Sequence, residues 1–555
     1  MNSHRSAFRV RRPLAAFVAL VMGVAIAVTV SAGGASARHT PRVARWADRS
    51  IASNPVVHNA PAAQRSRPVR EIARSNGRRA HRLSQASSPA QVFEGISNNS
   101  TISPPDPTGD VSATQYVQAV NTLKGAKIGV YDKASGSATA TFLLDDLWQG
   151  KGLCAKHGEG DPVVQFDPLA QRWVLSQFAF QFDDFGNPIS PYNECIAIST
   201  SEDATGSYFP YSYLISKKQF PDFPKFGVWS DGYYMSIHLF GQLGYKQQGI
   251  IAFDRENMLT GGAAREQIFF VNKGLFGLLP SDVEGTTPPP AGAPDYLVTV
   301  RDDDVGANAD RIFLYAFYAN FDHPRHSKIL GAAILKPQAF STKLCNGNFY
   351  CLGQKGTGMK LDAIAGDPGL GAYLMYPFVY RNFGDHEALL LEHTVKVGAT
   401  RQAGIHWMEI RDPSTTPSLY QEGTYAPDTL SRWVGSIGFD GFGDIGLAYS
   451  TTSSDTHPSI AFTGRLANDT LGAMTQGENL IIAGNGSQTA SPRWGDYTAL
   501  SVDPTDDCTF WYTNEFYPSN SHYTWHTAIA SFRMPTCSGA PSPTPSSSAS
   551  ASATP

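Results

Sequence analysis

Past Val30 the chain has no long hydrophobic run, which leaves no further segment able to cross a membrane as a helix. It has only six cysteines and no paired C-x-x-C, which disfavours a structural zinc site. It lacks G-x-S-x-G, H-E-x-x-H and a P-loop, which removes the nucleophile-elbow hydrolases, the common zinc proteases and the P-loop nucleotidases. Residues 38–90 contain no lysine at all, yet hold eleven arginines against only Asp48 and Glu71. The last stretch, Ser538–Pro555, is Ser, Ala, Pro and Thr with a single Gly, so it offers nothing to build a core from.

What is present at the N-terminus is an export signal. Arg5, Arg9, Arg11 and Arg12 precede the apolar run Pro13–Val30, and Ala35-Ser36-Ala37 supplies small residues for cleavage. Residues 1–37 therefore read as a signal peptide, with Arg11-Arg12 admitting the twin-arginine route. The arm 38–90, near +9 and poor in aromatics, is expected to be disordered, as a pro-segment or a tether to an anionic envelope. From residue 91 onward the chain holds 29 basic and 46 acidic residues, near −17. Such a body disfavours nucleic acid and anionic membrane as partners and suits calcium.

The organising stretch runs from Glu159 to Ile215. Strands are expected at Pro162–Asp167, Arg172–Phe180, Cys195–Thr200 and Tyr208–Ile215, each β-branched or aromatic and bounded by turn residues. One four-stranded meander cannot bury both faces alone, so it needs copies of itself. Asp110, Asp161, Asp222 and Asp282 open successive units at intervals of 51, 61 and 60 residues, and Arg432-Trp433 and Arg493-Trp494 recur 61 apart. The fold class that follows is all-β: a single β-propeller over 91–537, with seven four-stranded blades. The seventh blade has three strands of its own, and Gln91–Ile96 is expected to supply the fourth and close the ring. Six or eight blades are the rival counts, because Gly261–Leu279 and Lys336–Gly371 are not placed by pattern, and two stacked sandwiches are a weaker alternative.

The stretches PPDPTGD (104–110), YRNFGDHEALLLEHT (380–394), GIHWMEIRDP (404–413) and RWGDYTALSVDPTDDCTFWYTNEF (493–516) resemble a family of exported bacterial β-propeller-like proteins. A looser similarity is to the sialidase-like propellers, through one Asp-box-like turn at Ser201–Phe209 with an extra residue before Gly206. In that superfamily the box is structural, so the resemblance implies fold and not catalysis. The superfamily's arginine motif and Tyr–Glu pair have no counterpart here.

In a propeller the residues entering each innermost strand converge on a central funnel. Asp161, Arg432, Arg493 and Asp496 are the catalytic candidates of that funnel, and Asp110, Lys225 and Asp282 are binding candidates. Glu284 enters beside Asp282. His386 and Glu387 join the set if their turn lies at the same face. Arginines hold carboxylates by paired bonds, and two carboxyls serve as acid and base. Equally, Asp at a strand entry caps a turn, and Arg before Trp stacks on it. A second cluster, Asp302, Asp304, Asn308 and Asp310, partly matches a calcium loop, against the plainer reading of an acidic hairpin turn. The cysteines pair most simply as Cys345–Cys351, Cys154–Cys195 and Cys508–Cys537, one of fifteen connectivities.

The sequence thus points to a secreted or cell-surface monomeric propeller that recognises an extracellular polysaccharide, surface glycan or other surface partner. A polysaccharide-degrading hydrolase or lyase using the same funnel is the alternative, and a purely structural envelope protein is the third. Apart from calcium no cofactor is implied.

Overall fold

A computed structural model describes residues 47–73, 89–98, 100–242, 244–271, 275–346, 348–367 and 370–539. The signal peptide and the tail beyond 539 lie outside the described residues. The regular structure of the described residues is almost entirely β, most of it in seven antiparallel sets of four strands.

Blade one is Thr108–Val111, Gln115–Thr122, Gly125–Asp132 and Ala138–Leu143. Blade two, the organising stretch of the sequence, is Gly158–Asp167, Arg172–Phe182, Pro188–Ser199 and Tyr208–Ser216. Blade three is Phe220–Val228, Tyr233–Gly241, Gly244–Phe253 and Ala264–Val271. Blade four is Leu279–Val283, Asp295–Arg301, Arg311–Tyr318 and Lys328–Leu335. Blade five is Phe378–Asn382, Glu387–Val397, Gln402–Arg411 and Ser418–Tyr425. Blade six is Ser431–Phe439, Ile445–Thr452, Ser459–Arg465 and Asn479–Ile482. Blade seven has three strands of its own, Ala499–Val502, Thr509–Phe516 and His526–Arg533.

Its fourth strand is Gln91–Glu94, which pairs antiparallel with Ala528–Ser531. The two ends of the propeller are therefore sewn together by main-chain hydrogen bonds, which removes the open edge of the last blade. Each innermost strand packs beside the next, and Ala499–Val502 returns to Thr108–Val111, so the ring is closed. The innermost strands of blades four and five even pair directly, in parallel, from Ser281–Phe378 to Val283–Tyr380.

Burial follows position in the blade. The inner strand Ser431–Phe439 is buried at every residue, being covered on both faces. The outer strand Tyr208–Ser216 mixes buried with exposed positions, having one face toward solvent. Between blades the core is aromatic: Trp173, Trp229, Trp407, Trp433, Trp494 and Trp525 are all buried. Phe462 and Phe532 stack at 4.0 Å across blades six and seven. Each such ring contributes about 1.5–3 kcal/mol by burial. The inner strands crowd so closely that a Cβ on Gly227 would lie 2.1 Å from the Ser281 carbonyl oxygen. Only glycine fits there.

The three disulfides are those expected: Cys154–Cys195, Cys345–Cys351 and Cys508–Cys537. Among the described residues no helix is long and apolar enough to cross a membrane.

The arm departs from the expectation of disorder. Ala47–Ser50 adds to the outer edge of blade four, and Val56–Ala60 becomes a fifth strand of blade three against Ala264–Ile268. Further on, the N–H groups of Ser66, Val69 and Arg70 bond the carbonyls of Tyr208, Gly206 and Thr205 in blade two, and Val69 is fully buried. The physical reason is that a blade's outer strand presents unpaired N–H and C=O groups. A segment too polar to form a core can still be ordered by satisfying them. Residues 38–46 and 74–88 of the arm lie outside the described residues.

Candidate functional site at the neck of the channel

Where the inner strands begin, three blades carry the same local distortion. Asp106, Asp161 and Phe223 have φ of 46°, 47° and 59°, and each precedes a proline. Val434 has φ 49° at the equivalent place in blade six. Such left-handed conformations cost about 1–3 kcal/mol each and persist only where the surroundings enforce them. The strand register slips at these points, between Gly160 and Val163, Asp222 and Lys225, and Trp433 and Ser436. A bulge re-aims the side chains beside it.

At this neck four of the expected residues come together: Asp161, Lys225, Arg493 and Asp496. The Lys225 Nζ donates to the Asp496 carbonyl at 3.0 Å and lies 3.1 Å from the centre of the Tyr497 ring and 3.8 Å from that of Phe223. Arg493 donates through Nη2 to both Asp496 oxygens at 2.5 Å and through Nε to Asp362 Oδ2 at 2.7 Å. The Tyr497 hydroxyl donates to the Pro224 carbonyl at 3.0 Å and stands 3.2 Å from Asp161 Oδ2. Asp161, Asp222, Arg493 and Asp496 are half-buried, whereas Lys225 and Asp106 are buried.

Sequence reasoning did not assign a role to Asp106, Asp222, Asp362, Glu515, Tyr373 or Tyr497. Asp106 accepts from the Asp496 N–H and from Asn121 Nδ2, both at 2.6 Å. Asp362 and Tyr373 arrive on the insertion 336–377 between blades four and five. The signal for Asp106 and Asp161 was in the sequence as a repeated Asp-Pro at a blade entry; in blade three the proline follows Phe223, one residue after Asp222.

The electrostatics are lopsided: among the described residues Asp106, Asp161, Asp222, Asp362, Asp496 and Glu515 gather around two cations, Lys225 and Arg493. Burial, and then the Asp106, Asp222 and Asp496 charges, push Asp161 well above the usual carboxylate range. Burial and the Asp496 charge lift Asp222 to about 6 and Asp106 to about 8. Burial drives the Lys225 ammonium down to about 7 against the pull of the surrounding carboxylates. Burial also holds His238 down to about 3, a neutral ring stacked between Phe276 and Phe223 at 4.4 Å and 5.3 Å.

Other expected residues lie elsewhere. Asp110, Asp282 and Glu284 form a lower tier where the inner strands end. Asp110 accepts from the Phe166 N–H, Asp282 from Val228 and Glu284 from Phe439, each tying one blade to another. The cavity they line is about 40 Å³, room for a water or two and not for a sugar. Arg432 does not reach the channel at all. It is buried in paired bonds to Asp428 and Glu478, although its neighbour Trp433 packs 5.7 Å from Trp494. His386 and Glu387 sit at the opposite, exit face, where Glu387 bonds the Tyr380 and Ser414 hydroxyls.

The acidic loop brings together a different set of carboxylates from the expected one. Asp302, Asp303 and Asp310 hold carboxylate oxygens within 4.8 Å of one another, with Asp304 outside the group. Asp302 accepts from the Thr342 N–H and hydroxyl and from the Asp304 N–H, and Asp310 accepts from the N–H groups of Phe340 and Asp303. Three carboxylates, two of them so engaged, fit poorly the six to eight oxygens that calcium takes. The loop anchors the insertion that carries Asp362. The Asp-box-like turn is likewise structural: Asp203 accepts from the Thr205 N–H and hydroxyl and from Gln115.

No family model matches the chain, and no curated protein matches it in sequence. Solved structures similar to it include polysaccharide lyase Uly1, with TM-score 0.37 and 10% identity over 88% of this chain and 100% of that one. An α-L-arabinanase from Penicillium chrysogenum complexed with arabinobiose has TM-score 0.35 and 8% identity over 86% and 99%. An ulvan lyase has TM-score 0.35 and 9% identity over 81% and 96%. All three likenesses are loose in both sequence and superposition.

Proposed function

We propose that the protein is an exported carbohydrate-active propeller that binds a neutral polysaccharide at the neck and hydrolyses it. The observation that carries this reading is the pair Asp161 and Asp222. They are half-buried carboxyls at adjacent blade entries, gathered around one buried lysine and driven to different proton affinities. Two carboxyls pushed apart in this way can divide the acid and base roles. Asp161, its proton affinity raised by burial and the neighbouring carboxylates, gives its proton to the glycosidic oxygen as the bond to the anomeric carbon breaks. Asp222, ionised above about 6, takes a proton from the water that attacks that carbon.

The charge of the neck supports a neutral substrate. Carboxylates accept hydrogen bonds from sugar hydroxyls, while an excess of them repels uronate or sulfate groups. A lyase acting on a uronate needs a free cation for the substrate carboxylate, and Lys225 and Arg493 are both already engaged. Recognition without turnover, the plainer expectation, does not call for carboxyls with displaced proton affinities.

The test is to incubate the purified secreted protein with neutral arabinans, xylans, galactans and glucans and to measure new reducing ends. Ends should be released from one of them, and Asp161→Asn or Asp222→Asn should abolish release while retaining binding. Depletion of protein onto the polymer with no release of ends would reduce the neck to a binding site. No response to any neutral polymer would sink the carbohydrate reading.

A further inference from the structure

The exit face holds a second cleft, between blades five and six, of about 310 Å³. That is within the size range of small-ligand pockets and about eight times the lower-tier cavity. It is made by two turns, 382–387 in blade five and 440–444 in blade six, closed at the back by the third strand of blade five.

Its walls are aromatic. Phe383 and His386 stack at 4.9 Å with nearly parallel planes, and Phe442 on the opposite lip is 48% exposed. Its floor is polar. Glu409 is buried, accepting from Arg411 Nε at 2.6 Å and from Gln421 Nε2 at 2.5 Å. The Arg411 guanidinium is itself held flat on the Tyr420 ring at 3.4 Å. Behind the floor Arg465 is fully buried in the field of Glu409, and its Nε has no partner among the described residues. At the rim Asp385 Oδ1 lies 2.7 Å from His386 Nδ1.

Both signs of charge line the cleft, Asp385 and Glu409 against Arg411 with His386 between, while Arg465 behind the floor is matched by Asp444 and Asp469. So mixed a lining is not built around a single ion. Flat apolar walls over a floor of fixed donors and acceptors fit a small ring that is apolar on its faces and hydroxylated at its edge. We propose that this cleft is a second binding site, for a neutral saccharide ring, on the face opposite the neck. Phe442 and the Phe383–His386 pair take the ring's faces, and Arg411 and Asp385 take its hydroxyls, with buried Glu409 holding Arg411 in place. No residue is shared with the neck, so the inference does not depend on hydrolysis there.

The experiment is calorimetric titration of short neutral oligosaccharides (from arabinan, xylan, galactan and glucan) into the Asp161→Asn, Asp222→Asn double variant. This keeps the cleft intact while the neck chemistry is disabled. Because the neck still binds in this variant, at least one oligosaccharide should give a two-site isotherm, and adding Phe442→Ala or His386→Ala should weaken one of the two sites about tenfold or more while leaving the other. Both substitutions are at partly exposed side chains, and thermal melts establish that the variants are folded. Binding unchanged by either substitution, or no binding of any oligosaccharide to the double variant, overturns the second site. Release of reducing ends by the wild-type protein is read separately, so failure at the cleft and failure at the neck are distinguishable.

Discussion

Arg493 is held in the neck by Asp362, a carboxylate that lies 131 residues earlier in the chain and reaches it at 2.7 Å. Asp362 Oδ1 also accepts from the Trp494 N–H at 3.0 Å, so one side chain fixes both the arginine and the backbone beside it. The insertion that delivers it is pinned in turn by Asp302, Asp310 and Glu422.

Asp362→Ala should therefore lose about 2–4 kcal/mol of stability, since it strands a partly buried guanidinium. Arg493→Ala should lose a similar amount, and the double variant distinctly less than the sum. Urea unfolding of the four proteins checks this, and additive losses would show that the pair is not coupled.

Activity should rise with pH through about 6, because Asp222 must be ionised to act as base and its proton affinity is raised to about that value. Asp222→Asn should abolish turnover, and Asp222→Glu should keep a low rate with a displaced acid limb. A rate profile flat from about pH 4 to 8 would remove Asp222 from that role.

Glu392 gives a stability test free of the site. It is 1% exposed, neither oxygen has a hydrogen-bond partner among the described residues, and burial alone raises it to about 8. A carboxyl whose folded affinity exceeds its unfolded value keeps its proton in the folded state while the unfolded chain releases it. Stability is therefore complete below the unfolded value and falls as pH rises toward about 8, by up to about 5 kcal/mol. Glu392→Gln should flatten that fall, with melting temperatures near wild type at pH about 4 and higher at pH about 9. Parallel melting curves for the two proteins across this range would contradict it.

Closure of the ring should depend on Phe93. It is 3% exposed and packs against Tyr131 at 5.6 Å and Trp511 at 6.4 Å, joining the N-terminal strand to blades one and seven. Phe93→Ala should cost about 3–5 kcal/mol. Deleting residues 91–96 should leave the edge His526–Arg533 unpaired and produce aggregates on size exclusion. A monomeric, equally stable deletion variant would mean that closure lies elsewhere.

Chelator should leave the melting temperature unchanged, because Asp302 and Asp310 spend their oxygens on backbone N–H groups. Asp302→Ala should lower it by the equivalent of about 1–3 kcal/mol, leaving the Thr342 N–H unpaired. A chelator-induced drop reversed by calcium would restore the metal reading.

The sequence by itself determined the repeat, because strand alternation and turn residues are local signals that each blade must carry. It determined the closing strand, because an unpaired edge and an unplaced strand imply one another. Short spacing pointed to Cys345–Cys351, and the expected export signal to disulfides for the remaining four cysteines. It also brought Asp161, Lys225, Arg493 and Asp496 together, since equivalent entries of a ring converge whatever their separation along the chain.

Only the tertiary structure decided the rest. Arg432 and Arg493 both stand before a buried tryptophan, yet one is locked between Asp428 and Glu478 and the other enters the neck. A one-residue slip at a strand entry sends a side chain to the other face, and no local pattern records it. Asp362 reaches the neck on an insertion with no repeat signature, and the acidic loop proved to be that insertion's anchor. Residues 47–73 gained order from the unpaired outer edges of other blades rather than from their own composition. These are contacts between segments far apart in sequence, and their partners exist only once the ring has closed.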